Sequence, residues 1–86
     1  MHKLPFPYVT IMTHQVGKMR DVSCVEEAAE NLAMNWPLKT GPKLSAAKQA
    51  CLDALEGKIL CTEARDAFIE AAKEAEIYVG QQSLKH

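Results

Sequence analysis

Eighty-six residues suffice for one domain, in which little more than about 60% of the unfolded chain's surface can be buried. A net charge of −1 with no long block of like charge excludes a polybasic nucleic-acid arm or an acidic tail, so nucleic acid is not an expected partner. Hydrophobic residues make up 48% of the chain but aromatics only 6%, and alanine carries much of the apolar content, which lets helices approach closely while each gains little buried area.

The first predicted element is a strand over Tyr8-Val9-Thr10-Ile11-Met12-Thr13, rich in β-branched and aromatic residues, with Pro5 and Pro7 tolerable only before it or on an edge. A turn at His14-Gln15-Val16-Gly17 leads into a second strand over Lys18–Val22, completing an antiparallel hairpin. Ser23-Cys24-Val25-Glu26 has the form of a capping box, which predicts a helix from 24 to about 35 with Val25, Ala28, Ala29, Leu32, Ala33 and Trp36 on one apolar stripe. Pro37 stops it, because proline disfavours helical geometry in the residue before it.

Pro42 suits the first position of a second helix, whose inner face reads Leu44, Ala47, Cys51, Ala54 and Leu55, widened by Leu52. Gly57 stands where a left-handed cap is expected. A third helix starts near Thr62 and buries Ala64, Phe68, Ala71, Ala72 and Ala75. Ile77-Tyr78-Val79 is a candidate short third strand, because a lone two-stranded ribbon needs further cover. The reading is therefore a single α+β domain spanning 1–86: an N-terminal antiparallel β-hairpin, then three helices, with an ordered core over about 6–79 and a frayed tail over 81–86.

The ordered series Glu26-Glu27-Ala28-Ala29, Trp36-Pro37, Gly41-Pro42, Ala50-Cys51-Leu52-Asp53-Ala54-Leu55-Glu56-Gly57 and Glu63-Ala64-Arg65-Asp66-Ala67-Phe68 resembles the family called domain of unknown function 982. The resemblance covers roughly residues 8 to 79 and implies a bacterial, chiefly alphaproteobacterial, protein. It implies no activity, substrate or cofactor. Ile59-Leu60-Cys61 departs from the short polar loop expected after the glycine.

Catalytic and metal chemistry find little in these residues. Cys24, Cys51 and Cys61 are odd in number and without paired spacing, which suits reduced thiols in the cytoplasm, and no Cys-x-x-Cys or His-x-x-x-His pair offers zinc its ligands. Cys24 at a helix start feels the helix dipole, but no spacing brings His14 to it as a base. Glu26 and Glu30 lie one turn apart and read as a solvated face rather than an acid–base pair. A third helix bearing Glu63, Asp66, Glu70, Glu74 and Glu76 would be repelled by phosphates if it were placed in a DNA groove.

The densest polar stretch is Trp36 to Lys43, where Trp36, Lys39, Thr40, Gly41 and Lys43 adjoin the backbone donors of a helix N-terminus and could hold an anion. It lacks the order of a P-loop. Two expectations follow. The first is a non-enzymatic binding or interaction module that self-associates, as a homodimer with scope for a further protein partner, in the cytoplasm and without cofactor, metal or catalytic residues. The alternative is a sensor of a small anionic ligand or nucleotide at the Trp36–Lys43 turn. No apolar segment is long enough for a membrane span, so a membrane is not an expected partner.

Overall fold

The computed structural model describes residues 5–12 and 18–81. Six elements follow one another: β1 (Pro5–Met12), β2 (Met19–Cys24), α1 (Val25–Met34), α2 (Pro42–Leu55), α3 (Cys61–Glu74) and β3 (Tyr78–Gln81). The strands form one antiparallel sheet in the order β2-β1-β3, so the expected α+β architecture is present and the C-terminal strand is part of it. Gln81, assigned to the tail by the sequence pattern, closes β3 opposite Val9. Thr13, the turn at 14–17 and the tail from 82 lie outside the described residues.

Period-two alternation sorts the sheet into two faces. Val9, Ile11 and Val22 point into the core, whereas Asp21, Met12 and Met19 point away from it. On the outer face Thr10 stands opposite Asp21 and its hydroxyl donates to the aspartate carboxylate. β1 begins at Pro5, three residues before the expected start, so both prolines lie within the central strand. They fit because β3 reaches only Val9 to Met12, which leaves the proline end of β1 an edge on that side. The register also shifts between Pro5 and Val9, and the Pro7 carbonyl accepts from Arg65 Nε at 2.7 Å instead of from a ladder partner.

β2 runs directly into α1. The first helical residue is Val25, with Cys24 at the cap position, and the Ser23 hydroxyl does not cap it; Ser23 N–H and Oγ both donate to Glu27 Oε1, at 3.0 and 3.3 Å. The expected Ser23 cap does not form, and Glu27 takes the amide of the residue before the cap, because Ser23 lies extended near the end of β2. At α3 the glutamate half of a capping box does form, Glu63 accepting from the N–H of the cap residue Leu60 at 2.8 Å.

α2 ends as the sequence implied. Gly57 takes a left-handed φ of 78°, its N–H donates to Ala54 O and the Lys58 N–H to Asp53 O, the paired bonds of a Schellman motif. α3 ends with the same pair of bonds around Glu76, a non-glycine residue at φ 60°. α1 and α3 pack against the sheet and α2 packs against those two helices, and Phe68, Leu32, Leu44, Val9 and Val22 are among the largest fully buried side chains. Leu52 and Leu55, expected on the inner face of α2, stand outside it at 53% and 43% exposure. Alanine and cysteine already fill the narrow space at Ala47, Cys51 and Ala54, and no room is left for two further leucines.

Candidate functional site

The turn between α1 and α2 folds into two parts with different fates. Trp36 turns inward, half-buried, with its ring centroid 5.4 Å from that of Phe68 at a tilt of 56°, an edge-to-face type of contact. Its indole Nε1 is buried and finds no acceptor among the described residues. Lys39, Thr40 and Lys43 are exposed, and Gly41 is half-buried.

The backbone donors at the start of α2 are already engaged. Pro42 has no N–H, the Lys43 and Leu44 amides donate to Glu74 Oε2 and Oε1 at 3.3 and 3.2 Å, and Ser45 N–H makes the first intrahelical bond to Gly41 O. The anion at this helix N-terminus is therefore a carboxylate supplied by the last residue of α3, thirty residues away in sequence. It complements the helix dipole as an external anion would. Gly41 permits the approach: its φ of 153° with ψ 148° is a conformation open essentially to glycine, and a Cβ there would lie 2.5 Å from Glu74 Oε1. Glu74 is the residue that the sequence pattern missed.

Arg65 is likewise absent from the buried face expected for α3. It is 3% exposed and reaches through its Nε to the Pro7 carbonyl, tying α3 to the irregular start of β1. One signal was available: Arg65, Phe68 and Ala72 recur at the three-four spacing of the buried stripe. With Arg65 inside, the outer surface of α3 is more acidic than its composition implies, which further disfavours a nucleic-acid phosphate.

The cysteines do not gather. Cys24 and Cys51 are buried, Cys61 is half-buried, and all three are free thiols. Burial pushes the Cys51 thiol up from 9.0 to about 11, so it is protonated and poorly nucleophilic near neutral pH. Among the described residues no three His, Cys, Asp or Glu side chains converge as metal ligands. His14 lies outside the described residues.

A concave feature lies elsewhere, between α1 and α2. Ala29 and Ala33 of α1 and Lys48 and Leu52 of α2 line an open, almost wholly apolar groove of about 240 Å³. Each pair is spaced four residues apart, one turn of its helix, so the groove runs along both helices. Leu55, one further step along the Lys48–Leu52 row, extends the apolar edge.

A family model described as "Protein of unknown function (DUF982)" matches residues 8–79. The chain belongs to this family. No curated protein and no solved structure matches it significantly. The family match spans both strands of the hairpin, all three helices and the start of β3, so the groove and the Glu74 cap both fall within it. Among the described residues no helix is long and apolar enough to cross a membrane.

Proposed function

We propose that this family member is a small non-enzymatic interaction module of the bacterial cytoplasm that self-associates, most simply as a homodimer. The observation that carries the reading is the groove between α1 and α2, an apolar concavity whose principal large side chain, Leu52, is 53% exposed. Exposed leucine in a concave apolar setting gains most by being covered, and a domain of this size has little core to spare for its own stability. The bacterial setting comes from the family resemblance. The cytoplasmic one fits three free thiols.

The polar groups lend themselves to structure rather than turnover. Glu74 and Arg65 are committed to backbone partners, and the buried Cys51 thiol is held protonated. Size-exclusion chromatography with light scattering is expected to give a mass near twice 9.5 kDa at high concentration, falling on dilution. A 9.5 kDa species at every concentration would remove self-association, and a demonstrated catalytic turnover would remove the module itself.

A further inference from the structure

Two helices flank the groove, and they carry opposite charge. α1 contains Glu26, Glu27 and Glu30 and no basic residue, whereas α2 contains Lys43 and Lys48 against Asp53. Their exposed shapes are also complementary. On α1 the groove is lined by the small side chains Ala29 and Ala33; on α2 the row Lys48, Leu52, Leu55 carries two exposed leucines. Glu30 and Lys48 are both exposed, and neither takes part in an ion pair within the described residues.

We propose that this groove is where a second copy of the chain docks, with α1 of each copy lying over α2 of the other about a two-fold axis that runs along the groove. The assignment rests on the self-association argued above and specifies its surface. A two-fold axis placed in the plane between the molecules and along the helices exchanges the two sides of the groove, so the helix above α1 is the partner's α2 and the reverse. That arrangement seats Leu52 of each copy over the Ala29–Ala33 row of the other, a large side chain against small ones, as in close helix packing. The same operation sets Lys48 of each copy near Glu30 of the other. The alternative pairing, α1 over α1 and α2 over α2, would bring together two α1 helices that each present exposed Glu30 and no basic residue, and would leave the leucines without a recess.

The outer face of the sheet is the competing surface, with Met12 and Met19 exposed opposite each other. It carries Tyr8 beside the two methionines and Asp21, and that aspartate already accepts from Thr10 within the sheet. The helix face has both the recess and the charge pattern.

The experiment compares dimer dissociation constants by sedimentation for the full chain and four variants. Leu52→Glu is expected to weaken dimerisation by about 100-fold or more, since it puts a charge into a desolvated apolar contact. Lys48→Glu alone is expected to weaken it about tenfold, and Lys48→Glu with Glu30→Lys to recover most of that loss, because the exchanged charges again face each other across the axis. Met19→Lys is expected to leave the constant within about threefold of wild type. Circular dichroism on each variant checks that it folds, and all four positions are exposed. A monomeric wild type would overturn both this interface and self-association, and would leave the groove to a different protein. A dimer that withstands Leu52→Glu, or one that Met19→Lys dissociates, would overturn the interface while leaving self-association standing.

Discussion

The Trp36–Lys43 turn and the α1–α2 groove meet on the same helix, one at the N-terminus of α2 and the other along its middle, and they stand in opposite states of completion. At the turn, the backbone donors of the helix start are satisfied from within: Glu74 crosses from the end of α3 to take the two amides that Pro42 and Ser45 do not account for. In the groove the groups are weak, apolar and uncovered. A cluster of donors in sequence thus marks a place where the fold needs an acceptor, and here the acceptor is the fold's own Glu74. An apolar row that widens beyond the buried stripe marks a place where the fold stops short. The second condition is the one that invites a partner.

Gly41→Ala gives the largest expected effect at the turn. A Cβ at that position meets Glu74 Oε1 and demands a backbone conformation costly to any L side chain, so the substitution is expected to lower unfolding free energy by about 3 kcal/mol, read by denaturant titration. An unchanged midpoint would mean that Gly41 and Glu74 do not stand as described. Glu74→Ala should cost less, about 1–2 kcal/mol, because water can replace the carboxylate at a partly exposed helix end. It also sharpens the comparison. With the carboxylate gone, the Lys43 and Leu44 amides are free for an external anion, and inorganic phosphate is expected to raise the melting temperature of Glu74→Ala but not of wild type. Stabilisation of wild type by phosphate would instead restore an anion-sensing role to the turn.

The contrast explains what the sequence could and could not disclose. Elements governed by short-range chemistry were legible: the Gly57 cap, the Pro42 helix start, the Trp36-Pro37 stop and the apolar stripe through Phe68 are each set within a few residues. The third strand at Tyr78–Gln81 was legible only as a need of the hairpin, and it is met on the side of β1 away from β2. The capping box expected at Ser23 does not form, because that serine lies extended as the penultimate residue of β2. Glu74 could not have been found by spacing, since its partners lie on another helix and the encounter depends on how α2 and α3 pack. Leu52 and Leu55 show a different limit. Periodicity gives the direction of a helix's apolar face but not its buried width, which depends on how closely alanine and cysteine let the neighbours approach.

Leu52→Glu carries the smallest expected effect on the stability of the isolated chain, and for that reason it discriminates best between the two regions. A side chain already 53% exposed has little burial to lose on substitution, glutamate is nearly as good a helix former as leucine, and Lys48 one turn earlier offers it a favourable neighbour. At concentrations low enough to keep the protein monomeric, its unfolding free energy is expected to stay within about 0.5 kcal/mol of wild type. At high concentration the two should diverge, because dimer formation raises the apparent stability of wild type by mass action and not that of the variant. A large loss of stability in the dilute monomer would mean that Leu52 belongs to the core after all, and the groove would then be a seam in the domain's own packing. A small loss when dilute and a growing gap with concentration would place Leu52 at a surface kept for association, whereas the helix-start amides of the neighbouring turn are taken by the fold's own Glu74.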